Sequence, residues 1–212
     1  MKNYTDMCLG APAFRCHGYG LMFGATPSGW IGTEHFLPGN VGHLDYSLLF
    51  TQTMFTPTAA TFASGAMTER ARYRGYIAGS VIITAIINVV YGSWAWGSLY
   101  GGDGWLKKIG LIDFAVSTVV YAVGGWCALA GVLVLGPRLG RYWPKGEART
   151  FPGHNLSSVA FGGFILWPGW FGFNGGNTAQ VNASIGLTML DIRLAETGYP
   201  EFQRDILHGE KP

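Results

Sequence analysis

The sequence predicts an all-α integral membrane protein: a helical bundle of four spanning helices plus a fifth, interrupted segment at the N-terminus. Three observations carry that prediction. Charged residues are 12% of the chain, about half the share usual in soluble domains, while 49% are hydrophobic. Four long stretches carry no charge at all. The 33 glycines show no collagen or low-complexity period, and several fall at the three- and four-residue spacings that let helix backbones approach closely in lipid.

In chain order, residues 3–24 have the length of a span but are interrupted by Asp6, Arg15 and His17. A central arginine costs about 2.5–3.5 kcal/mol on insertion scales. This segment is therefore expected to turn Arg15 toward protein or to lie at the interface, and not to face acyl chains. Residues 25–45 are rich in Gly and Pro and read as a loop, with Trp30 and Phe36 as interface aromatics. Residues 46–68 are uncharged, and Pro57 within them is tolerable where Thr side chains and neighbouring helices satisfy freed carbonyls. The charged turn Glu69–Arg74 follows, then a second span near 76–100 closing on Trp94, Trp96 and Tyr100.

The third span, 112–136, is the most apolar: Phe114 to Pro137 runs uncharged, roughly 36 Å of helix against a hydrocarbon core of about 30 Å. Its interior holds Gly124, Gly125, Ala128, Ala130 and Gly131. Asp113 at its start is either a helix cap or a functional acid, and Tyr121 in its middle is the other group to explain. A fourth span occupies 156–174, inside a stretch from 150 to 190 without Asp, Glu, Lys or Arg, and Asn174–Asn177 interrupts it. Residues 1–190 thus read as one membrane domain and 191–212 as a polar tail.

Charge fixes orientation. The turns after the first and third spans carry Arg70, Arg72, Arg74, Arg138, Arg141, Lys145 and Arg149, whereas the opposite side has Lys107 and Lys108. The positive-inside rule places loops 70–74 and 138–149 in the cytoplasm, in a membrane taken to be a bacterial inner membrane. Met1-Lys2 is followed by polar residues and not by a signal-peptide core, so insertion is expected to rely on the spanning helices. The three cysteines lack disulfide or metal-ligand spacing. His17, His35, His43 and His154 form no ligand pair at helical spacing within a span, so neither metal nor cofactor is expected. A net charge of +2 with no basic stripe gives no case for nucleic acid, and no nucleophile–base pair or phosphate loop suggests an enzyme.

Several segments, in order, resemble the ammonium transporter (Amt/MEP/Rh) family. They are Tyr19–Gly24, Leu49–Phe55 with Ser64–Arg70, Trp94–Gly97, Gly101–Leu106, Asp113–Ala115 with Ser117–Val120, Gly153–Leu156 and Gly169–Gly176. The resemblance covers roughly residues 1–190. It implies trimers of protomers that each fold about eleven spanning helices as two inverted halves around a pore, of which this chain resembles the first half. It also places Phe55 at the inner of two gate phenylalanines, Trp96 at the outer cation-recruitment site and Asp113 at the structural acid beneath it. Ammonium is attracted to an aromatic face by the ring quadrupole. Without the resemblance, Phe55 and Trp96 read as ordinary membrane aromatics.

Other pore positions depart from the family. Thr51 stands at the first gate phenylalanine, Asn177 at the serine of the outer site, and Tyr121 at the first pore histidine. A histidine there can exchange a proton near neutral pH, whereas a phenol of ordinary pKa about 10 does so poorly. The second histidine belongs to a half not found in this sequence. The expectation is a non-conducting structural or interaction subunit of a larger membrane assembly, in contact with lipid and other membrane chains. The alternative is an ammonium channel working as half of a split pore. The candidate ligand is ammonium, and the candidate substrate residues are Phe55, Trp96, Asp113, Tyr121 and Asn177.

Overall fold

The computed structural model describes residues 2–37, 46–97, 99–142, 146–150, 153–176, 185–186 and 188–190. They fall into two units, residues 1–150 and 151–212, each treated by itself. Among the described residues the secondary structure is helical, with one isolated antiparallel bridge between Tyr142 and Ala148.

Helix α1 covers residues 2–23 as Lys2–Ala13, a π-helical turn Phe14–Gly18, and Tyr19–Phe23. Helix α2 is Tyr46–Ala66. Helix α3 is Tyr73–Trp96, with a π-helical turn at Ile83–Ile87. A one-turn helix α4, Trp105–Lys108, precedes α5, Ser117–Leu135. In the second unit α6 is Leu156–Gly176. Among the described residues, α3, α5 and α6 are long and apolar enough to cross a membrane. Helix α2 has comparable length but is richer in threonine. Those hydroxyls turn back on the helix: Thr51, Thr53, Thr56, Thr58 and Thr61 each donate to the carbonyl four residues earlier, at 2.6–3.2 Å. Back-bonding of this kind hides a hydroxyl from hydrocarbon without a tertiary partner.

The N-terminal segment packs against the other helices of its unit. It runs the full height of the bundle, side by side with α3. Thr5 Oγ1 is 2.6 Å from Tyr73 Oη, and His17 Nε2 is 3.2 Å from the Ala85 carbonyl. At the far end, the Phe23 ring stacks on Trp96 at 5.9 Å with 5° between planes. Arg15 is exposed on the outer face of this helix. What holds α1 upright is the group the sequence marks as an interruption. Asp6 is fully buried and accepts hydrogen bonds from Tyr76 Oη, from Ser80 Oγ at 2.6 Å and from Thr61 Oγ1 at 3.3 Å. One carboxylate thereby joins α1 to both α2 and α3. Nearby, Ser64 Oγ donates to Asn3 Oδ1 at 3.0 Å.

Helix α2 packs along α1 on one side and α5 on the other. Gly124 lets α5 approach the Ala59 carbonyl and Phe62, and Gly131 faces Met67. The core, at the α1–α3 end of the unit, includes Phe14, Tyr19, Met22, Leu49, Val89 and Val119. Both basic turns meet at the other end. Arg70 donates to the Gly136 carbonyl at 3.0 Å, and Arg138 lies 3.5 Å from Glu69.

Two element boundaries differ from the sequence expectation. Helix α5 starts at Ser117, not near 112, because Ala115 and Val116 take left-handed φ values of 50° and 52°. Helix α6 continues through Asn174 to Gly176. Asn177 lies outside the described residues.

Candidate functional site

The end of the first unit opposite its basic turns is built by a tight turn. Trp96 is the last residue of α3, and Gly97 leaves the helix with φ 72°. The chain returns at Gly104 so closely that a Cβ there would collide with the Ser93 and Trp94 carbonyls. That approach is open only to glycine. Trp105 N then donates to the Gly29 carbonyl at 3.1 Å, which ties the 25–37 loop to the same end. Trp30, Trp94 and Trp105 pack on one another with ring centroids 5.7–5.8 Å apart. Such an aromatic belt suits the membrane–water boundary.

Within this frame Trp96 and Asp113 are brought together. The indole Nε1–H donates to Asp113 Oδ2 at 2.8 Å. Asp113 Oδ1 accepts from Thr118 N at 2.6 Å, Thr118 Oγ1 at 2.7 Å and Ser117 Oγ at 3.2 Å. Asp113 therefore has two structural roles. It caps the first turn of α5, and it orients the tryptophan. With four donors the carboxylate's acceptor sites are largely taken. The Trp96 ring, half-buried, has one face covered by Phe23. In the same turn, Lys107 donates to Asp103 at 2.8 Å and holds that carboxyl below its ordinary range. Whatever this exposed pair adds is present above the ordinary carboxylate pKa and lost as pH falls through the lowered value.

The remaining predicted residues are not gathered at this point. Phe55 is half-buried on α2, and Thr51, one turn earlier, is exposed with its hydroxyl spent on the Ser47 carbonyl at 2.7 Å. Tyr121 lies in the π-helical first turns of α5, half-buried, its ring 4.9 Å from that of Phe62. Phe62 is two turns along α2 from Phe55. Sequence reasoning missed Phe23, which backs Trp96, and the Ser117–Thr118 pair, although Asp followed by Ser-Thr at four and five residues is a readable capping pattern. It also missed the Tyr76–Ser80–Thr84–Asn88 spacing on α3, whose first two members meet Asp6.

Comparison with known proteins gives these residues their context. The model of the Ammonium Transporter Family matches residues 1–196. Ammonium transporter Amt2 of Archaeoglobus fulgidus is 43% identical over 194 residues, covering 86% of this chain and 40% of the relative. Putative ammonium transporter sll0537 of Synechocystis is 37% identical over 205 residues, covering 93% of this chain and 38% of the relative. A solved structure described as "Sensor Amt Protein" superposes with a TM-score of 0.87 at 38% identity, covering 99% of this chain and 53% of that one. Candida albicans Mep2 superposes with a TM-score of 0.70 at 31% identity. The chain spans about two fifths of the length of these curated relatives. It belongs to the ammonium transporter family.

Proposed function

We propose that this protein recruits ammonium at the outer end of its helix bundle, on the open face of Trp96, and holds it without passing it inward. The Trp96–Asp113 hydrogen bond, with Phe23 stacked behind the ring, carries the proposal. A fixed, electron-rich ring beside a carboxylate attracts a small cation by about 0.5–2 kcal/mol, depending on desolvation. Retention without passage is supported by Tyr121, whose ring is packed against Phe62 where a proton-exchanging histidine is implied by the family. It accords with the word "sensor" in the description of the solved relative. No bond to ammonium is made or broken, so the activity proposed is binding and not enzymatic turnover.

A second reading, a conducting ammonium channel, is favoured by the intact recruitment pair and by relatives described as ammonium transporters. Uptake into proteoliposomes separates the two. Binding without passage predicts methylammonium uptake no higher than in protein-free vesicles. Saturable uptake that falls on Trp96→Leu would establish the channel.

For assembly, the reading takes residues 1–190 as one membrane domain, supported by the family match, and 191–212 as a tail. Other membrane chains, or further spanning segments, are proposed to cover α6, which exposes Phe161, Phe164, Ile165 and Leu166. Loops 70–74 and 138–149 are proposed to be cytoplasmic, supported by their basic charge and by the Arg70–Gly136 bond at one end of the first unit. Single cysteines placed in the two loops are expected to be shielded together from an impermeant maleimide added outside. Labelling of one loop but not the other would refute the topology.

A further inference from the structure

We propose that the outward face of α1 is a docking surface for a membrane-spanning helix that carries a carboxylate at the depth of Arg15. The inference is independent of ammonium recruitment and rests on where Arg15 stands.

Depth comes first. Helix α1 runs beside α3, and the π-helical turn containing Arg15 is level with the turn Ile83–Ile87, joined to it by His17 and the Ala85 carbonyl. That level is near the middle of the 24-residue span Tyr73–Trp96. Arg15 is exposed there, and among the described residues it makes no ion pair or hydrogen bond. Escape to water is poorly served by geometry. The nearer end of α1 is its C-terminal, outer end, whereas Cα–Cβ bonds tilt toward a helix N-terminus, here the farther end. Snorkelling outward therefore runs against the direction in which the side chain leaves the backbone. A guanidinium held at this depth takes a protein partner or a water-filled cavity.

Charge then selects the occupant. The first unit's own intramembrane acid, Asp6, is buried and bonded on both oxygens to hydroxyls of α2 and α3. Residues 150–190, including α6, contain no Asp or Glu. Neither α6 nor the described spanning helices of a second copy can supply the counter-charge. A helix from another polypeptide segment, bearing Asp or Glu at mid-depth, fits. The rest of the face is suited to close helix contact: Cys8, Pro12 and Cys16 are exposed on it, and the two cysteines are free thiols.

The two thiols also make the test. The full chain is reconstituted in phosphatidylcholine vesicles with a synthetic polyleucine spanning peptide holding one central Glu and a neighbouring cysteine. A control peptide has Leu in place of Glu. Oxidative cross-linking to Cys16 reads association at the level of Arg15, and cross-linking to Cys8 reports two turns below. Expected is about tenfold more Cys16 cross-link with the Glu peptide than with the Leu peptide, a size typical of polar helix–helix contacts in lipid. Arg15→Leu should abolish the difference, and Arg15→Lys should preserve most of it. Equal yields for the two peptides, or a Glu-peptide yield unchanged by Arg15→Leu, would overturn the proposal. So would a Cys16–Cys16 dimer of the chain that excludes the Glu peptide, which assigns this face to a second copy.

Discussion

Replacing Asp6 by alanine is expected to destabilise the protein by about 3 kcal/mol, enough to lower its thermal midpoint in mild detergent by many degrees. The carboxylate has no water to fall back on, being fully buried, and it is the shared acceptor for hydroxyls from two other helices. Truncation strands Tyr76 Oη, Ser80 Oγ and Thr61 Oγ1 together. Thr61 already donates to the Pro57 carbonyl, and Ser80 can turn to a carbonyl of its own helix, so those losses are partial. The tyrosine hydroxyl, at the end of a rigid ring, keeps Ser64 as its remaining side-chain partner. Asp6→Asn, which keeps one oxygen acceptor, should cost less than half as much. A melting curve of Asp6→Ala superimposable on the parent would show that the buried cluster contributes nothing to holding α1 in place.

Gly104→Ala is expected to have a comparable effect by a different route. The added methyl would meet the Ser93 and Trp94 carbonyls, both backbone, with no flexible side chain to yield. Gly97 across the same turn is equally confined, since a Cβ there would strike Gly104 N while φ sits at 72°. The turn must lift from the end of α3, at a cost of about 1–3 kcal/mol for overpacking. Because Trp96 ends that helix and Asp113 follows the turn, the 2.8 Å indole–carboxylate bond should be lost as well. The variant should melt earlier and bind ammonium more weakly. Gly125→Ala is the matched control. It lies in an exposed helical position with nothing within 4 Å of its added methyl, and it should leave both properties unchanged.

The fold was legible where hydropathy and length decide it. All four uncharged runs hold helices, three of them long and apolar enough to cross a membrane, and the apolar run with Gly124 and Gly131 does pack closely on α2. Reading failed where a polar residue was judged by its cost in lipid alone. Asp6 interrupts the N-terminal segment in sequence, yet it anchors that helix, because hydroxyls from elements 55 to 74 residues away converge on it. No local pattern announces such a convergence. The onset of α5 is hidden in the sequence for a related reason. Two valine-and-alanine positions with positive φ look like continuous helix in sequence, and only the capping of Thr118 by Asp113 shows where the helix begins. Of the candidate site, the Trp96–Asp113 pair followed from resemblance to the family. Phe23 did not, since stacking between chain segments far apart in sequence has no sequence period.

The most direct measurement is ammonium binding by titration calorimetry, comparing the purified protein with its Trp96→Leu and Phe62→Leu variants. Recruitment on the Trp96 face predicts one saturable site in the parent protein. It also predicts about tenfold weaker binding in Trp96→Leu, as expected for loss of a partly desolvated cation–π contact. Affinity should be unchanged in Phe62→Leu, which alters the packing of Tyr121 deeper in the bundle. Absence of saturable binding in the parent, or equal affinity in the parent and Trp96→Leu, would contradict the account.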